Sequence, residues 1–104
     1  MEKSIAVNRR VSSENPVALV TGASRGLGRA IAVGFGQRGY RVLVNYRTET
    51  AEADQTVQAV EAAGGTAFAH QADVRDAKDV AAMVSAAVDR WGRLDVLVCN
   101  AAMT

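Results

Sequence analysis

Cysteine, proline and histidine each occur once in this chain of 104 residues. The single cysteine, Cys99, excludes an intrachain disulfide and a cysteine-based metal site, and it suits a reducing cytoplasm. Charge of one sign is also missing. Lys and Arg number 12 against 11 Asp and Glu, a net charge of +1, and no basic block stands out, so nucleic acid is not an expected partner. No apolar run approaches the roughly 20 residues that a membrane helix needs. Residues 1–15 lack an apolar h-region, so they do not read as a secretory signal. What is present is 49% hydrophobic residues, rich in Ala, Val and Gly, which suits one small domain with a packed core.

Residues 1–15 mix charge with Ser and Asn and show no period, so they read as a flexible tail. From Pro16 onward the chain alternates short apolar runs with longer periodic ones. Val17-Ala18-Leu19-Val20 fits a strand buried on both faces. A helix is expected from about Gly26 to Gly39, with Ala30, Ile31, Val33 and Phe35 as its apolar side. The pattern then repeats: a strand at Arg41 to Asn45, a helix near residues 50–63 with Ala53, Val57 and Val60 on one side, and a strand at Thr66 to Gln71. Asp76 to Trp91 is the clearest helix. Val80, Met83, Val84, Ala87, Val88 and Trp91 form its apolar face, Asp76 serves as N-cap or first-turn acid, and Gly92 ends it. Leu94 to Cys99 reads as the last strand, with Cys99 and Trp91 as core residues. This alternation predicts an α/β domain over residues 16–104. It is a partial Rossmann-like, doubly wound parallel sheet of four strands in the order 3-2-1-4 with three helices.

The chemistry-bearing segment is Thr21-Gly22-Ala23-Ser24-Arg25-Gly26-Leu27-Gly28, between the first strand and the first helix. Glycine at the strand end permits a tight turn, and glycine at the helix start lets backbone approach a phosphate. Glycine one step further in lets helix and strand pack closely. The helix N-terminus offers unpaired N–H groups and a partial positive charge to a pyrophosphate. This is a dinucleotide-binding turn; the competing reading is a plain tight turn. A nucleoside-triphosphate loop would need Gly-Lys-Ser/Thr, and here Arg29-Ala30 follows Gly28.

The glycine spacing, Thr-Gly-x-x-x-Gly-x-Gly, resembles that of the short-chain dehydrogenase/reductases, and within them the 3-oxoacyl-(acyl-carrier-protein) reductase branch. The resemblance extends in register through Val44-Asn45-Tyr46-Arg47, Ala72-Asp73-Val74 and Leu94 to Ala102, so it covers residues 16–104. Cys99 and Ala102 stand where the family usually has Asn and Gly. The sugar-nucleotide epimerases space their glycines differently.

The resemblance implies a nicotinamide cofactor held by Gly22, Ser24, Arg25, Gly26, Leu27 and Gly28, by Asn45, Tyr46 and Arg47, by Asp73 and Val74, and by Asn100, Ala101 and Ala102. Asn45 is neutral where an acidic residue would favour NAD(H). Arg25 and Arg47 can clamp a 2′-phosphate, so NADP(H) is expected over NAD(H); the alternative leaves both arginines solvated. Asp73 is expected either to accept from the adenine amino group or to cap the following turn. Asn100 is expected to line the ribose and tie the fourth strand to its neighbours. Ser24 either bonds a phosphate or shapes its turn, and His70 reads as a satisfied structural histidine.

The family reaction moves hydride between nicotinamide and a carbonyl or alcohol carbon, using Tyr-x-x-x-Lys as acid/base. Here Tyr40 is followed at four by Val44 and Tyr46 by Thr50, so no catalytic and no metal-binding residue is assigned. The resemblance therefore implies the cofactor-binding half of an NADP-dependent reductase, inactive alone. It further implies a small-molecule or acyl-thioester substrate, homo-oligomeric full-length members and a cytoplasmic location. The second reading is a nucleotide-binding module without turnover.

Overall fold

A computed structural model describes residues 15–100. The expected tail, apart from Asn15, and the expected site residues Ala101 and Ala102 lie outside them. The elements run β1 (Val17–Val20), α1 (Gly26–Gln37), β2 (Arg41–Tyr46), α2 (Thr50–Ala62), β3 (Thr66–Gln71), α3 (Ala77–Trp91) and β4 (Val96–Val98). All pairings are parallel and the sheet order is β3-β2-β1-β4, the doubly wound arrangement expected. Register sets Leu19 beside Leu43 and Leu97, and Leu43 beside Phe68.

Strand side chains alternate between faces, and in this sheet both faces of β1 and β2 are covered. Val20, Val42 and Val44 pack with Ala32 of α1 and with Ala53 and Val60 of α2. Val17, Leu19 and Leu43 pack on the opposite face with Met83 and Ala87 of α3. Crossovers on both faces thus explain why the β1 and β2 runs are continuously apolar. Asn15, assigned to the tail, is docked: its side chain donates to the Gly39 carbonyl at 2.7 Å.

Helix α1 differs from expectation in its packing face. The buried residues are Gly28, Ala32 and Gly36, spaced four apart. Ala30 is exposed, while Ile31, Val33 and Phe35 flank the contact, half-buried. The reason is close approach: a Cβ on Gly36 would lie 2.9 Å from Val60 Cγ1. Residues four apart share a helix face, and here only small ones fit. In α2 the buried trio is Ala53, Thr56 and Val60, with Val57 at the margin.

Helix α3 carries the expected caps. Asp76 Oδ1 accepts from the Lys78 N–H at 2.8 Å, and Gly92 closes the helix at φ 79°. Its apolar face is only partly used, with Met83 and Ala87 buried and Val88 exposed. Trp91 is half-buried against the Phe68 ring at 4.9 Å. Strand β4 is shorter than expected. Leu94 and Cys99 fall outside it, and Asp95 joins β1 through its N–H, which donates to the Val17 carbonyl at 2.9 Å, and through its side chain, which accepts from the Val17 N–H at 2.8 Å. Cys99 is exposed, not core, because β4 ends at Val98 and, among the described residues, pairs with β1 alone.

Candidate cofactor site

The site is built at the carboxyl end of β1, where the chain turns into α1. Gly22 and Gly26 take φ of 60° and 61°, a conformation that a side chain disfavours. A Cβ on Gly26 would meet nothing within 4 Å, so the space beside it is open and the glycine is required by its backbone angle. Gly28 is required for the opposite reason. Its Cβ would lie 2.1 Å from the Gly22 carbonyl oxygen and 2.7 Å from Asn100 Nδ2. The first intrahelical bond runs from the Arg29 N–H to the Arg25 carbonyl at 3.3 Å. The amides of Gly26, Leu27 and Gly28 therefore precede the hydrogen-bonded helix, the arrangement that suits an anion.

Two asparagines brace this turn from opposite sides. On the β2 side, Asn45 Oδ1 accepts from the Gly22 N–H at 3.0 Å, and the Asn45 carbonyl accepts from the Ala23 N–H at 2.8 Å. Asn45 Nδ2 reaches the carbonyls of Ala72 at 3.2 Å and Tyr46 at 3.3 Å. On the β4 side, Asn100 Nδ2 donates to the carbonyls of Thr21 at 3.2 Å and Gly22 at 3.1 Å. The Asn100 N–H donates to Thr21 Oγ1 at 2.8 Å. Asn45 is 2% exposed and its amide is fully engaged inside the fold. Its side chain therefore shapes the turn from the edge of the adjoining cleft.

A cleft of about 380 Å³ opens beside the turn. Of the expected site residues, Gly22, Ser24, Arg25, Asn45, Arg47, Asp73, Val74 and Asn100 line it. Gly26, Leu27 and Gly28 are not among its lining residues, and Leu27 is 69% exposed at the start of α1. Tyr46 turns away and packs on the core beside α1 and α2. The arginine after the last glycine, Arg29, also leaves the cleft. It donates to Thr56 Oγ1 at 2.9 Å and to the Ser24 carbonyl at 2.7 Å, joining α1 to α2.

Three lining residues were not among the expected site residues: Glu49 and Arg75, and Ala72, which the sequence offered only as part of the Ala72-Asp73-Val74 motif. Arg75 donates to both Asp73 oxygens, at 3.0 and 2.8 Å, and the Arg75 N–H donates to Oδ1 at 2.9 Å. Hydrogen bonds from Arg75 hold the Asp73 carboxyl far below the usual carboxylate range, and Arg47 adds to the effect. Asp73 thus caps its own turn, one of the two roles expected for it. Ser24 is buried and donates to Glu49 Oε1 at 3.2 Å. Glu49 Oε2 accepts from Thr48 Oγ1 at 2.7 Å, and that bond, aided by Ser24 and by Arg25, lowers the Glu49 carboxyl below its ordinary value. His70 departs from expectation, since its Nδ1 is buried without a protein partner among the described residues.

A family profile described as short chain dehydrogenase matches residues 16–104. The chain belongs to the short chain dehydrogenase family. Members of this family bind a nicotinamide cofactor, in agreement with a glycine turn at the carboxyl end of β1. The 3-oxoacyl-(acyl-carrier-protein) reductase FabG of Staphylococcus aureus is 49% identical over 87 residues, which is 84% of this chain and 35% of that protein. The short-chain dehydrogenase/reductase homolog YusS of Bacillus subtilis is 46% identical over 90 residues, covering 86% of this chain and 83% of that protein. Among solved structures, a hydroxysteroid dehydrogenase from Escherichia coli superposes with a TM-score of 0.78 at 32% identity, over 91% of this chain and 39% of that one. The chain thus spans about a third of the length of the reductase relative, measured as 35%. No helix among the described residues is long and apolar enough to cross a membrane.

Proposed function

We propose that this short chain dehydrogenase sequence forms the cofactor-binding part of an NADP(H)-dependent reductase of carbonyl compounds, with a 3-oxoacyl thioester as the substrate class. The observation that carries the cofactor reading is the cleft itself. It joins the glycine turn, with Arg25, to Arg47, while Asn45 near the end of β2 is neutral and engaged inward. The open space at Gly26 and the amides opening α1 fit a pyrophosphate. The two exposed guanidiniums fit a 2′-phosphate. When bound, the nicotinamide would supply or accept a hydride. The described side chains bind and orient the adenosine end. The thioester class is favoured by the reductase relative. A cytoplasmic location and assembly into homo-oligomers belong to the same reading.

Calorimetric titration of the chain with NADPH and NADH tests it. NADPH should bind about tenfold more tightly, the scale of one charge-assisted contact, and Arg25→Ala with Arg47→Ala should remove that preference. An unchanged preference in the double variant would overturn the arginine clamp. Failure of a folded chain to bind either nucleotide would overturn the site.

A second reading is favoured by the tyrosines. Tyr40 packs at a tilt on Phe35 with ring centroids 4.8 Å apart, Tyr46 packs half-buried against the core, and neither has a lysine four residues on. In this reading the chain binds NADP(H) without turnover. NADPH oxidation by the purified chain in the presence of a 3-oxoacyl thioester would refute it.

A further inference from the structure

The cleft assigned to a 2′-phosphate also holds carboxylates, and they are not equivalent. Asp73 is matched by Arg75 through two side-chain contacts, so its charge is locally compensated. Glu49 accepts from two hydroxyls, Ser24 Oγ and Thr48 Oγ1, and these donors bring no charge. They hold it in place between the glycine turn and the start of α2. Arg25 is near enough to act on it electrostatically. Ser24 is affected as well, since its hydroxyl proton points to Glu49 and is not available to a phosphate while that bond persists.

Resting on the cofactor reading above, we propose that Glu49 is a specificity-determining residue, which opposes a 2′-phosphate in this cleft and keeps the preference for NADP(H) over NAD(H) narrow. Arg25 and Arg47 attract the phosphate. Glu49 places a fixed negative charge in the same cleft, and of the groups that distinguish the two cofactors only the 2′-phosphate carries a charge for it to repel. The carboxylate can also accept a hydrogen bond from a free ribose 2′-hydroxyl, which raises affinity for the unphosphorylated ligand. The residue therefore acts on the ratio of the two affinities.

The test is calorimetric titration of the full chain with adenosine 2′,5′-bisphosphate and adenosine 5′-monophosphate. It compares the unaltered chain with Glu49→Gln, Glu49→Ala and Glu49→Asp, each first checked by its thermal transition. Glu49→Gln and Glu49→Ala should shift the affinity ratio toward the bisphosphate by about tenfold at low salt and by less at high salt. Glu49→Asp, which keeps the charge, should stay near the unaltered ratio. An unmoved ratio in both neutral variants, with the bisphosphate binding well, would overturn the role of Glu49 and leave the cofactor site standing. If neither probe binds any folded form of the chain, the cofactor reading falls and this proposal with it.

Discussion

Two strands flank β1, and their fates differ. On one side β2 pairs with β1 from Val17 beside Arg41 to Val20 beside Val44. Val42, Leu43 and Val44 are fully buried there. On the other side β4 has a similar composition, Val96-Leu97-Val98, and pairs with the same strand, yet Leu97 is 51% exposed. Leu43 lies between β1 and β3 and beneath α3. Leu97 has a strand on one side only among the described residues. It borders an apolar hollow of about 370 Å³ with Val74, Val80, Met83, Val84, Thr21 and Cys99. The difference shows that apolar composition buys burial only where both neighbours and both faces are supplied.

The comparison can be broken most sharply at the glycine turn. Gly28→Ala drives a Cβ to within 2.1 Å of a backbone oxygen, and backbone cannot step aside cheaply. We expect a loss above about 3 kcal/mol in chemical denaturation, together with loss of nucleotide binding. A loss under about 1 kcal/mol would show that α1 can slide outward. Next come the two leucines. Leu43→Ala should cost about 3 kcal/mol by the same measurement, whereas Leu97→Ala should stay within about 0.5 kcal/mol. Equal costs would mean that the β4 flank is covered in solution, and the oligomeric state should then change with Leu97.

Asn45→Ala should cost about 2 kcal/mol, because the Gly22 N–H and the Ala72 carbonyl lose their partner. Asn45→Asp keeps the acceptor toward Gly22 and loses the donor toward Ala72, so an intermediate cost would separate the two contacts. The smallest effect is expected at Asp95, below the sheet. Arg93 and the Val17 N–H favour its ionised form, so its native pKa lies below the ordinary 3.8. Its contribution is therefore present above that value and lost as pH falls through the depressed native pKa. Asp95→Asn should leave the acid limb of the stability–pH curve flatter than in the unaltered chain. An unchanged limb would show that the contact with Arg93 is screened.

Much of this was legible in residue order because the signals are local. Continuous Val and Leu runs bounded by Gly mark two-face burial, and Gly22, Gly26 and Gly28 between strand and helix mark the turn. Asp76, followed by the α3 apolar repeat and Gly92, marks a capped helix. The face of α1 was not legible. Periodicity weighs large apolar residues, and α1 packs through Gly28, Ala32 and Gly36, whose role is to be small. Asn45 and Asn100 were found as site residues, but their task of bracing the turn depends on carbonyls contributed by other strands. Glu49 and Arg75 carry no motif. They enter the cleft because the loops after β2 and β3 end on the same side of a parallel sheet.

Residue order alone therefore determined the alternation of elements, the parallel sheet order and the place of the glycine turn. Each of these follows from backbone stereochemistry and hydrophobic period over a few neighbouring residues. Tertiary structure decided which identical side chains are buried, with Leu43 inside and Leu97 at the edge. It also decided which charges meet in the cleft, pairing Asp73 with Arg75 and leaving Glu49 to the hydroxyls of Ser24 and Thr48. Burial and electrostatics are properties of what lies across space, and residues 24 and 49 become neighbours only once β1 and β2 have paired.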